Sequence, residues 1–66
     1  MVVKVIELVG TSRQNWTDAV DGAVAEAAKT VDNILGVEVT NFTANVDNGR
    51  ITEYKADVRV AFEVRK

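Results

Sequence analysis

The side chains best equipped for chemistry in this sequence are oxygen donors, because it contains neither cysteine nor histidine. Asn45, Asp47, Asn48 and Glu53 lie close together and are of the type that binds a hard divalent cation. Their spacing is not that of a helix–loop–helix calcium loop. Counted from Asn45, the glycine falls at the fifth place (Gly49), and no glutamate closes the loop. Asp47-Asn48-Gly49-Arg50 is read more simply as a type I′ hairpin turn, since Asn-Gly accepts the positive φ that such a turn requires. No metal site is assigned to these residues. Asn15, Asp18 and Asp21 form a second group of oxygen donors. Here too a local role suffices: Asn15 caps a helix, Asp18 completes an approximate capping box, and the acids favour the positive end of the helix dipole.

Gly10-Thr11-Ser12 precedes the same helix, as an anion-binding loop would, but it lacks the glycine density and the lysine of a phosphate loop. Lys55, Asp57 and Arg59 alternate along one segment, the pattern of a cross-strand or cross-subunit ion-pair ladder. Trp16 is the single tryptophan, and its helical spacing to Val20 and Ala23 makes it a core anchor.

The missing residue types exclude cysteine nucleophiles, histidine bases, serine–histidine triads, disulfides and ordinary zinc sites. The carboxylates fall on polar faces, and Lys55 has no evident electrophile, so no enzymatic activity is expected. Net charge is −2, with the eight basic residues dispersed along the chain, which argues against a nucleic-acid partner. No apolar run approaches the ~18 residues of a membrane span, and the basic-then-apolar pattern of a secretion signal is missing. A soluble, cytoplasmic protein is expected.

Positioning these groups requires a fold, and 66 residues allow a single domain over 1–66. A chain of this length buries only about 60% of the surface exposed on unfolding. With 47% hydrophobic residues and no disulfide or zinc to help, partner subunits are the natural stabiliser. Val2 to Val9, ending at Gly10, reads as a first strand covered on much of both faces. From Trp16 the apolar positions Val20, Ala23, Val24, Ala27, Val31 and Ile34 recur at helical spacing over about five turns, with Asn33 or Gly36 as the C-terminal cap. Asp21, Glu26, Lys29 and Asp32 form the opposite, solvated face. A second strand begins at Val37 and shifts phase near Thr40-Asn41, which signals a β-bulge. After the hairpin, Tyr54, Ala56, Val58, Val60, Phe62 and Val64 alternate with charged residues in a strand of about 14 residues, or roughly 45 Å. That exceeds any core such a chain can build, so the strand must curl around the helix or project into a neighbour. The architecture is α+β, in the order β-α-β-β, with the two long strands as an antiparallel hairpin.

Several short segments, in order, carry a family resemblance: Val9-Gly10-Thr11-Ser12 after the first strand, Trp16 opening an alanine-rich helix, and Thr30-Val31-Asp32-Asn33 near its end. Val37-Glu38-Val39 and Val60-Ala61-Phe62-Glu63-Val64 follow in the second and third strands. Over essentially its whole length the chain resembles the dodecins. That resemblance implies a three-stranded antiparallel sheet curled around one helix, a hollow homododecamer, and storage of a small ligand without turnover. Flavin of the riboflavin or FMN type is the ligand it implies, with the pocket at Leu35, Gly36, Val37 and Lys55. In flavin-binding dodecins an aromatic residue stacks on the ring, and the matching position here is Gly36; a glutamine meets the ring edge, and the matching position is Lys55. Glycine has no π-face, and lysine donates hydrogen bonds without accepting them, so weakened flavin binding is expected. The missing aromatic resembles a calcium-associated branch, which makes a calcium-binding or purely structural assembly the alternative.

Overall fold

The computed structural model describes residues 1–65 and contains β1 (Val2–Ser12), α1 (Trp16–Ala27), β2 (Ile34–Asp47) and β3 (Arg50–Val64). The three strands form one antiparallel sheet in the order β1-β3-β2, so β3 is central and the other two are edges. The β-α-β-β order and the antiparallel hairpin are as the sequence predicts.

The alternation of β3 decides which face meets the helix. Ala56, Val58 and Val60 are buried against Ala19, Ala23 and Ala27 of α1, with Ile6, Leu8, Val20, Val31, Ile34 and Val39 packed around them. The helix can come this close because β1 carries no side chain at Gly10. A Cβ built there would lie 2.0 Å from the Ala19 carbonyl oxygen and 3.0 Å from the Ala23 methyl. Small residues on both sides set a short helix–sheet distance. The molecule measures 51 × 19 × 13 Å, whereas a 12-residue helix is only about 18 Å long. The β2–β3 hairpin therefore projects well beyond the element that covers it.

At the helix start the Asn15 side chain accepts from the Asp18 backbone N–H at 2.7 Å, the expected cap. Asp18 does not close the box on Asn15. Its carboxylate instead accepts from the Ser12 hydroxyl at 2.7 Å, and Ser12 Oγ accepts from the N–H groups of Gln14 and Asn15. The bulge at Thr40-Asn41 is present, as a register shift between Val39 and Asn41. Asn48 and Gly49 have φ of 53° and 76°, as a type I′ turn needs.

Four expectations are corrected. The helix stops at Ala27, with Ala28 as C-cap, instead of running to Ile34. Val31 keeps the helical phase because its N–H bonds back to the Ala27 carbonyl, which leaves its side chain on the core without continuing the helix. Neither Asn33 nor Gly36 is the helix cap: Asn33 takes φ 61° just ahead of β2, and Gly36 lies inside β2, where a register shift separates Ile34 from it. β2 accordingly starts at Ile34, three residues before Val37. Finally, β1 continues to Ser12, and within one chain it is covered on one face only, with Val3, Val5 and Val9 exposed.

Candidate functional site

The outer face of the sheet, turned away from α1, carries the residues singled out as candidate ligand contacts. On β3 it presents Lys55, Asp57, Arg59 and Ala61, each between two residues of the core-facing row. Antiparallel pairing sets their neighbours, because opposed residues share a face. Ala61 lies between Val5 of β1 and Gly36 of β2, and Arg59 between Glu7 and Glu38. Asp57 lies between Val9 and Asn41, and Lys55 between Thr11 and Thr43.

Around Gly36 this surface forms an open hollow of ≈ 390 Å³, lined by Val5, Gly36, Val37, Glu38, Arg59 and Ala61. Its floor is shallow because the two central positions, Ala61 and Gly36, carry the smallest side chains. Nothing lies within 4 Å of a Cβ built on Gly36, so the space beside it is open. The hollow joins apolar walls to one cation and one carboxylate, a combination that suits a flat, partly polar ligand. Arg59 Nη2 is 3.7 Å from Glu7 Oε1, a long contact between exposed side chains that leaves the guanidinium available.

Of the predicted pocket residues, Gly36 and Val37 line the hollow. Leu35 is adjacent in sequence and 57% exposed but is not part of its lining. Lys55 stands six residues from Ala61 on β3, about 20 Å along an extended strand. One chain therefore does not bring Lys55 to Gly36. Glu38, two residues along β2, was missed as a lining residue, and so were Val5, Arg59 and Ala61, which only the strand register places beside Gly36.

The other candidates have structural roles. Trp16 is half-buried and not part of the central core cluster. Its ring meets Tyr54 and Phe42 edge-on, with centroids 4.8 and 6.1 Å away, and its indole N–H donates to the Thr43 carbonyl at 2.9 Å. It is an anchor joining the helix start to the projecting hairpin, which corrects the expected place in the core. Ser12 is buried, and its hydroxyl is committed to Asp18 and the turn, so Gly10-Thr11-Ser12 serves as a helix entry. Asn45 donates its amide to Glu53 at 3.3 Å, so these two are paired with each other. Among the described residues no group of three or more acidic side chains is placed to hold a metal ion. No helix among them is long and apolar enough to cross a membrane.

Comparison with known proteins bears on the family and the fold. A family model described as Dodecin matches residues 2–65. The calcium dodecin of Mycobacterium tuberculosis is 38% identical over 65 residues, which span 97% of this chain and 90% of that protein. A dodecin of Thermus thermophilus is 31% identical over 65 residues, spanning 98% and 94%. Among solved structures, a Thermus thermophilus protein superposes with a TM-score of 0.94 at 31% identity, covering 98% of this chain and 96% of that one. The structure of the Mycobacterium tuberculosis calcium dodecin, described as calcium-chelating, superposes with a TM-score of 0.85 at 36% identity, covering 98% and 93%.

Proposed function

Because the chain belongs to the dodecin family, we propose that it is a self-assembling shell protein that binds and stores a small ligand without turning it over. The observation that carries this reading is the outer sheet face. On that face the 66-residue chain leaves Val3, Val5 and Val9 exposed around and beyond a hollow, although the helix covers the middle of the other face. Apolar exposure of this kind on so small a protein marks a contact surface. The ligand hollow at Gly36 would be completed by Lys55 from another subunit, since one chain holds the two about 20 Å apart.

Flavin is the ligand this reading names first, bound weakly. Gly36 leaves an aromatic ring without a stacking partner, and stacked pairs contribute about 0.5–1.5 kcal/mol beyond area burial. A homododecamer is the assembly proposed. Light scattering should give a mass near twelve chains, and protein at tens of micromolar should quench riboflavin emission. A monomeric mass, or undiminished emission, would sink the corresponding half of the proposal.

Calcium is the second reading, favoured by the 38% identity to a protein named calcium dodecin. With no cluster of three acids in the described residues of one chain, carboxylates from several subunits would have to meet. A melting temperature indifferent to both calcium and chelator would count against it.

A further inference from the structure

Five glutamates occur in this chain, and four of them are engaged. Glu7 lies 3.7 Å from Arg59, Glu26 pairs with Lys29 at 3.0 Å, Glu53 accepts from the Asn45 amide at 3.3 Å, and Glu63 pairs with Arg65 at 2.6 Å. Among the described residues Glu38 alone has neither an ion-pair partner nor a side-chain hydrogen bond. Lack of opportunity is not the reason, because strand register sets Glu38 directly opposite Arg59. Opposed residues stand only about 5 Å apart at Cβ. The guanidinium nevertheless turns to Glu7 on the other side, through one long contact.

The place of this free carboxylate gives it a use. Glu38 and Arg59 are the two charged residues that line the Gly36 hollow. They form the row next to Gly36 and Ala61 on the same face, two residues along each strand. A floor of glycine and alanine accepts a flat molecule, and the row beside that floor then meets the molecule's edge. Side by side, this row offers guanidinium N–H donors and a carboxylate acceptor. The edge that fits it carries a carbonyl next to a ring N–H: Arg59 donates to the carbonyl oxygen while Glu38 accepts from the N–H. Both hydrogen bonds are charge-assisted, the stronger kind. The pyrimidine end of an isoalloxazine ring has this order of groups, C=O, N–H, C=O.

We propose that Glu38 and Arg59 read the polar edge of the ligand in the Gly36 hollow, and that the ligand class is a planar heterocycle with a ring N–H beside a carbonyl. This rests on the ligand-storage reading and names the groups that orient the ligand there. Lys55, which another subunit would bring to the hollow, cannot take the N–H, since an ammonium only donates. A flat ligand without such an edge would cover Glu38 and Arg59 and leave them desolvated with nothing to bond, which is costly. An anionic edge would meet Glu38 as a like charge. The pair thus discriminates between ligands of the same shape.

Riboflavin and 3-methylriboflavin, in which the ring N–H becomes N–CH3, are the probes, read by quenching of flavin emission. The parent should bind the methylated ring about tenfold less tightly, because the methyl removes the donor and sets an apolar group against a carboxylate. Glu38→Leu should bind riboflavin about tenfold less tightly than the parent and no longer distinguish the two flavins. Glu38→Gln keeps an acceptor oxygen and should retain the preference. Arg59→Leu should weaken both flavins alike, because both carry the carbonyl it contacts. Circular dichroism and light scattering check the fold and mass of each variant, and the methylated ring tests the parent with no substitution at all. Equal affinity of the parent for the two flavins, or a folded Glu38→Leu that keeps the preference, overturns this assignment and leaves the flavin reading standing. A parent that quenches neither flavin overturns both.

Discussion

Gly10 and Gly36 lie on two edge strands of one sheet, and the contrast between them separates what folds this protein from what it is for. At Gly10 a side chain would strike the Ala19 carbonyl at 2.0 Å; at Gly36 it would meet nothing within 4 Å. The first glycine is on the inner face, where alanines of α1 press onto β1 and β3. The second is on the outer face, where an open hollow and unpaired charges await another molecule. Both positions use the smallness of glycine, but at Gly10 the space is occupied by the chain's own helix, and at Gly36 it is vacant. The middle of the inner face is filled within one chain, and the outer face is not.

The largest effect that tests this contrast comes from Gly10→Ala. One methyl must displace a helix backbone carbonyl, and a helix pinned at its start by the Asn15 cap and the Trp16 contacts has little room to retreat there. Overpacking of this kind costs about 1–3 kcal/mol, and a clash with backbone belongs at the upper end. Each kcal/mol shifts the melting temperature of a domain this size by about 4–8 °C, so a fall on the order of 15 °C is expected at fixed protein concentration. A variant melting with the parent would mean that the helix sits farther from β1 than described.

A smaller effect compares adjacent residues on opposite faces. Val58 is fully buried among the alanines, and Val58→Ala removes two methyl-sized groups and leaves a cavity, at a cost of about 2 kcal/mol. Arg59 is exposed, with one long contact to Glu7, and Arg59→Ala should leave the denaturant midpoint of the dissociated chain within error. Equal losses at the two positions, read by denaturation below the assembly concentration, would remove the distinction between the faces.

What the sequence makes legible follows the same division. Asn15 as cap, the bulge at Thr40-Asn41 and the Asn48-Gly49 turn are set by residues within a few positions of one another, and all three are present. The inner face is legible because alternation along β3 reports burial directly. The helix end was misplaced because Val31 and Ile34 stay on the core after the helix has stopped, and periodicity records contact with the core whether or not the helix continues. The hollow was only half legible. Gly36 and Val37 are neighbours in sequence, whereas Val5, Arg59 and Ala61 join them through strand register, which no single segment encodes. Lys55 is a different case: nothing within one chain brings it to Gly36, and only a second subunit could.

The smallest effect expected is a gain. Gly36→Trp adds a large ring where a Cβ meets no neighbour, so the fold should tolerate it and the melting temperature should stay close to the parent's. The indole would supply the missing π-face beside Val5 and Val37, and an aromatic pair adds about 0.5–1.5 kcal/mol beyond the area it buries. At 1.4 kcal/mol per tenfold, riboflavin affinity should rise by roughly 2- to 12-fold, read as quenching of flavin emission at lower protein concentration. Destabilisation comparable to Gly10→Ala would show that Gly36 is enclosed by its own chain and that the two glycines are alike. An intact fold with no gain in affinity would separate the hollow from flavin binding while leaving the open outer face as described. The second outcome would shift weight to the calcium reading, because it would remove the ligand for which an aromatic at this position matters.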